Sequence, residues 1–196
     1  MKKIFNYIIA GCLATSFTGC LDMEPVSSIT DVNYWKDAAQ FEAFNVGLHG
    51  LLRERSYTIF ELGEPRADIY HSNPFTGEAT QGVERMIDNT LNAANPVISN
   101  YGDFYVINQL NLMISHTEST DLLDASTKNY YLGEAYGLRA YVYFHLLRSW
   151  GDVVLQLDYT NGNSIDIGNP SKAASSAADV MTQIKKDIQS SEDAFG

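Results

Sequence analysis

Cysteine is nearly absent from this 196-residue chain: the only two, Cys12 and Cys20, lie close to the N-terminus. No pair is therefore left in the rest of the chain to close a disulfide, and folding has to rely on a hydrophobic core, which a chain of this length can build. Basic residues are also scarce, with 13 Lys+Arg against 24 Asp+Glu and a formal net charge of -11. A surface of that sign lacks the basic patch that nucleic-acid phosphates require, and it disfavours docking on anionic headgroups. Such a charge remains compatible with a neutral ligand such as a sugar. Catalytic signatures are missing too. There is no Gly-x-Ser-x-Gly elbow, no Walker loop and no Cys-x-x-Cys or His-x-x-x-His spacing, and His49, His71, His116 and His145 are widely separated. Nothing in these patterns calls for a metal, a cofactor or an enzyme.

What is present begins with a leader. Lys2 and Lys3 precede an apolar run from Ile4 to Phe17, and Thr18-Gly19-Cys20 follows. The order of charged, apolar and small-residue regions is that of a secretory signal, and the run is shorter than the roughly 20 apolar residues that span a bilayer. Gly19 before Cys20 makes the segment similar to a bacterial lipoprotein signal, with Phe17 as a departure where leucine is usual. That resemblance implies cleavage after residue 19 and acylation of Cys20. Each buried acyl methylene would contribute about 0.8 kcal/mol to anchoring. Residues 20–36, with Pro25, Asp22 and Glu24, have no periodicity and read as a tether.

Helical signals dominate from there to Gly196. Asp37 with Gln40 three residues on forms a capping box, and Phe41, Phe44, Leu48, Leu51 and Leu52 follow as an apolar stripe. Gly47 and Gly50 interrupt this helix and are expected to mark a close helix contact. Between Ser56 and Asn100, Pro65, Pro74, Pro96, Gly63, Gly77 and Gly82 imply a loop-rich insertion. A second helix is expected from Gly102 to Glu118, with Phe104, Ile107, Leu110 and Ile114 inward. The third carries Gly133–Leu155, in which Leu132, Ala135, Tyr136, Arg139, Ala140, Tyr143, Leu147 and Trp150 share a face until Gly151-Asp152 stops the helix. Arg139 on that face needs a carboxylate, from Glu134 or from a neighbouring helix, because an unpaired buried charge is very costly. A fourth helix presents Val180, Ile184 and Ile188. The pattern implies an all-α fold of degenerate tetratricopeptide-like helical hairpins with a loop-rich insertion, spanning residues 37–196 after a signal at 1–19 and the tether at 20–36.

These motifs together resemble the RagB/SusD family of surface lipoproteins. Gly133-Glu134-Ala135, Leu138-Arg139-Ala140, Tyr141, Tyr143-Phe144, Leu147, Arg148 and Gly151-Asp152-Val153 with Leu155 carry the likeness. Gly137 stands where a bulky residue is usual, and Val154 replaces a proline. Tyr101, Phe104, Ile107, Leu110-Asn111 and Ile114, the charged Glu64, Arg66 and Asp68, and Asp187-Ile188 are weaker matches. The resemblance implies a lipid-anchored, non-enzymatic protein of the outer membrane, facing the exterior, that captures an oligosaccharide, or in some members a peptide, and passes it to a SusC-like TonB-dependent transporter barrel. It also implies that the chain is the N-terminal portion of a longer protein. A helical-repeat scaffold lipoprotein that makes protein contacts only is the competing class.

Sugar binding uses exposed aromatic faces flanked by polar side chains, because a pyranose has an apolar face and a polar rim. Tyr70, His71, Asn73 and Phe75 form such a cluster within the irregular segment and are the candidate ligand contacts. By contrast, Tyr136, Tyr141 and Tyr143 at helical spacing are expected to be packing residues, and Asp152 belongs to a turn.

Overall fold

A computed structural model of the chain describes residues 34–71, 82–92, 95, 101, 104–160 and 172–196. The leader, Cys20, the tether up to residue 33, Asn73 and Phe75 lie outside the described residues. The chain divides into Met1–Trp35 and Lys36–Gly196. In the first unit the rings of Tyr34 and Trp35 meet edge to face at 5.1 Å. The second unit contains helices α1 (Ala38–Glu54), α2 (Ser56–Gly63), α3 (Val83–Ile87), α4 (Val106–Ser119), α5 (Ala125–Trp150) and α6 (Ala177–Phe195), with a 3-10 turn at Glu64–Arg66. Among the described residues, extended pairing is limited to one antiparallel bridge between Val153 and Ser175. The all-α class follows.

Local chemistry sets the helix ends. Asp37 accepts from the backbone N–H of Gln40 at 2.9 Å, and the Gln40 side chain returns a bond to the cap, completing the box expected from sequence. Asp124 caps α5 by accepting from Thr127 N–H, which lowers its carboxyl pKa. Gly151 ends α5 at φ 75°, a left-handed conformation that glycine adopts without Cβ strain. Asp152, next to it, accepts from Ala177 N–H at 2.8 Å and so ties the end of α5 to the start of α6. It is a turn residue, in agreement with its sequence context.

The core lies where α5 is flanked by α4 and α6. Leu110, Met113, Ala135, Tyr143, Leu146, Val180 and Ile184 are almost fully buried there. Burying each of the larger aliphatic side chains stabilises the fold by about 1.5–3 kcal/mol. Both neighbours run antiparallel to α5: Tyr136 reaches Glu118 and Arg139 reaches Asn111 on α4, while Arg139 reaches Asp187 and Gly133 reaches Ser191 on α6. These are the helical hairpins expected from the sequence.

Three details differ from the sequence reading. First, the tight helix approach is at Gly133 and Gly137 on α5, where a Cβ would come within 2.7 Å of the Phe195 ring and 3.1 Å of Ser191 Oγ. At Gly47 and Gly50 an added Cβ would meet nothing within 4 Å. Second, Ile188 is 46% exposed, and its place in the α6 core is taken by Asp187, which is 1% exposed. A residue beside an apolar stripe is buried here because it answers a charge. Third, the segment after Ser56 is less irregular than its prolines and glycines suggest, since it forms α2, the 3-10 turn and α3. Met86 of α3 is buried, and Asn95 donates to Gly82 C=O at 3.1 Å.

Arg139 is that charge. Its Nε and Nη2 donate to the two Asp187 oxygens at 2.8 and 2.7 Å, and Nη1 donates to Asn111 Oδ1 at 2.9 Å. Gln183 adds a bond to Asp187 at 2.8 Å, and the Tyr136 ring lies 5.3 Å from the guanidinium carbon. Burial, reinforced by the hydrogen bond to Glu118, holds the Tyr136 phenol well above its ordinary range. Glu134, the alternative partner for Arg139, instead engages Asn45, His49 and Tyr130.

The same cluster fastens the extended piece after Gly151. Asn111 Nδ2 donates to Gln156 C=O at 2.8 Å, and Tyr143 Oη both accepts from Gln156 N–H at 2.7 Å and donates to its C=O at 2.8 Å. Burial pushes the Tyr143 hydroxyl up to about 12, so it stays a neutral donor at physiological pH. Tyr143→Phe removes both bonds and leaves Gln156 N–H without its acceptor. The expected loss is about 2 kcal/mol of unfolding free energy, with faster amide exchange at Gln156. Unchanged denaturation and exchange would show that the hydroxyl does not hold this segment.

Candidate functional site

Among the described residues, α5 contributes to the lining of two cavities. The smaller, about 300 Å³, is walled by Tyr101, Phe104, Tyr105, Leu146 and Val154, with the Trp150 ring edge-to-face with Tyr101 and Phe104. Its polar groups are committed to the chain itself. Asn108 donates to Thr160 C=O at 3.2 Å and accepts from its N–H at 2.7 Å, and Gln156 Nε2 donates to Asp158 C=O at 2.6 Å. A mostly apolar wall whose Asn108 and Gln156 are already engaged is a poor match for a polyhydroxylated ligand.

The larger cavity, about 740 Å³, opens between the end of α1, α2 and the last turns of α5. Leu52, Ile59 and Leu138 give it an apolar floor, and His49, Arg53, Glu64, Tyr141, His145 and Arg148 bring polar groups to its walls. Phe60 also lines it and continues outward as a run of aromatic rings. Tyr57 stacks on Phe60 at 6.2 Å, and Phe60 meets Tyr70 edge to face at 6.1 Å. Tyr57 is 64% exposed, Phe60 38% and Tyr70 45%. One turn of α2 puts Tyr57 and Phe60 on the same side of the helix, and the 3-10 turn at Glu64–Arg66 brings the chain back so that Tyr70 completes the shelf. Asp68, at φ 62°, takes the left-handed conformation in this return.

Of the four candidate ligand contacts, the structure therefore brings Tyr70 to an aromatic shelf and leaves His71 exposed beside it. Asn73 and Phe75 lie outside the described residues. The shelf also includes Tyr57 and Phe60, which the sequence reading assigned to a loop; their three-residue spacing in Ser-Tyr-Thr-Ile-Phe was the available signal. Tyr143 is buried and Tyr136 half-buried, as expected of packing residues, but Tyr141 is half-exposed and lines the cavity. His49 and His145, far apart in sequence, meet at this cavity. Among the described residues no group of three or more His, Cys, Asp or Glu side chains is placed to hold a metal ion.

The architecture is that of an all-α scaffold built from antiparallel helical hairpins, with an aromatic shelf at one cavity. No family model matches the chain. Individual proteins do. The chain is 31% identical to SusD-like protein P38 from Formosa agariphila over 98% of its own length and 38% of that protein. Its structure is similar to NanU of B. fragilis, with a TM-score of 0.76 and 62% identity over 89% of this chain and 34% of that one. A SusD superfamily protein from Bacteroides vulgatus gives a TM-score of 0.73 at 62% identity, covering 83% of this chain and 32% of the other. The chain belongs to the SusD/RagB family. It spans about a third of the length of these relatives.

The electrostatics of the cavity can be read through His145. It is buried, its Nδ1 accepts from Arg148 Nε at 3.0 Å, and burial followed by the Arg148 charge lowers its pKa from 6.5 to about 4. The folded state thus resists a proton that the unfolded chain takes up readily. Between those two values the unfolded chain binds more protons, so stability contributed by neutral His145 is present above pH 6.5 and is lost as pH falls toward 4, at up to about 1.4 kcal/mol per pH unit. Denaturation midpoints of wild type should therefore fall from pH 6.5 to 5 more steeply than those of His145→Asn. Parallel curves would show that His145 is not held neutral by the fold.

Proposed function

We propose that the protein is a non-catalytic glycan-capture component of an outer-membrane uptake system, held at the cell surface by acylated Cys20 and handing its ligand to a SusC-like TonB-dependent transporter barrel. The observation that carries the binding role is the exposed run Tyr57–Phe60–Tyr70 opening onto the 740 Å³ cavity. Exposed, mutually braced rings are costly to leave in water and supply the flat apolar faces on which pyranose rings stack. Membership of the SusD/RagB family supports the same reading, and the resemblance of the leader to a lipoprotein signal supports the anchor. Among the described residues no helix is long and apolar enough to cross a membrane. His71, Asn73 and Phe75 are proposed to extend the ligand contact from Tyr70.

Titration calorimetry of the full chain against a panel of oligosaccharides and peptides tests the binding role. At least one oligosaccharide should bind, and Phe60→Ala and Tyr70→Ala should each weaken it about tenfold, equivalent to about 1.4 kcal/mol. Binding of peptides alone, or affinity untouched by both substitutions, would contradict it. Fractionation of cells expressing Cys20→Ala tests the anchor: the variant should leave the membrane fraction, and full retention there would refute acylation of Cys20.

A further inference from the structure

The larger cavity concentrates positive charge in a chain that has little of it. Thirteen Lys+Arg face 24 Asp+Glu over the sequence, yet Arg53 from α1 and Arg148 from α5 both line this one cavity, against the single carboxylate of Glu64. Among the described residues no carboxylate lies within salt-bridge distance of either guanidinium. His49 faces Glu134 at 3.5 Å, outside the lining.

Arg148 is held in place. Its Nε donates to His145 Nδ1, and its guanidinium lies over Gly63, where a Cβ would come within 2.7 Å of Nη2 and 3.2 Å of Nη1. Any larger residue at position 63 would displace it. Its Nη1 and Nη2 donate to no acceptor among the described residues. A planar guanidinium fixed through one nitrogen, with its two terminal nitrogens unspent, is the fork that receives two oxygens of one anion. Arg53, exposed on the facing helix, adds a second permanent charge. Two arginines lining one cavity attract an anion more strongly than the same charges spread over the surface in water.

We propose that this cavity is an oxyanion-binding site in which Arg148 is the bidentate donor and Arg53 the second cationic wall, taking a carboxylate or sulfate group, either as a free ion or carried on a sugar. Its position beside the aromatic shelf lets one ligand engage both, but the anion site stands on its own residues.

Titration of the full chain with inorganic sulfate, glucuronate and glucose, at constant ionic strength, distinguishes the sources. Saturable sulfate binding indicates that a free ion suffices; glucuronate binding without sulfate binding indicates an anion delivered on a sugar. In either case Arg148→Gln should weaken the anion at least tenfold and Arg53→Gln several-fold, with glucose unaffected. Arg53→Gln alters an exposed side chain and keeps the test decisive if Arg148→Gln disturbs folding. The proposal is overturned if neither anion saturates or if both variants bind the anion as wild type does. Saturable binding of a neutral oligosaccharide in that case would leave the glycan reading intact.

Discussion

A buried guanidinium organises this molecule. Arg139 sits near the middle of α5 at a position with almost no access to water, where an unpaired charge would cost several kcal/mol. The fold answers with three elements at once: Asp187 from α6, Asn111 from α4, and the backbone of the segment that leaves α5. Helix packing by itself tolerates sliding and rotation, since apolar surfaces are non-directional. A bidentate ion pair with a third hydrogen bond does not. It sets the register of α4 and α6 on α5, and Asn111 and Tyr143 carry the constraint on to Gln156.

That register matters for the binding face because α5 is shared. Its first half, with Gly133 and Gly137 admitting α6 closely, belongs to the core. Its last turns present Tyr141, His145 and Arg148 to the cavity formed with α1 and α2. A rotation of α5 that relaxed Arg139 would swing these three side chains with it. Glu134, freed from any duty to Arg139, joins α1 to α5 through Asn45 and His49, so Glu134 and Asp187 have separate structural roles. The aromatic shelf on α2 is thereby positioned against a wall whose orientation is fixed from the core.

Much of this was legible in the sequence. The capping box at Asp37 and Gln40 is local chemistry and appears as written. Arg139 among apolar neighbours announced a buried charge, and the same stretch, with the Gly151-Asp152 stop, carried the family resemblance that the relatives support. Which carboxylate would answer was not legible, because Glu134 and Asp187 both satisfy the charge and only the antiparallel return of α6 selects the second. The same choice misled the reading of α6, where hydrophobic periodicity favoured Ile188 over its acidic neighbour. Gly47 and Gly50 look like contact glycines by composition, but packing decides contact, and it falls on Gly133 and Gly137. The cavity was the least legible part. His49 on α1 lies 96 residues before His145, which shares α5 with Arg148, and the short helix bearing Tyr57 and Phe60 is hidden among residues punctuated by Gly63 and Pro65.

The central claim is that the Arg139–Asp187 pair, rather than apolar packing alone, fixes the arrangement of the three helices. Denaturant unfolding of wild type, Arg139→Leu, Asp187→Leu and the double variant measures it most directly. Each single substitution leaves one buried charge unanswered and should cost about 3–5 kcal/mol, while the double variant should cost well under the sum of the two. Single losses below about 1 kcal/mol, or losses that simply add, would contradict the account.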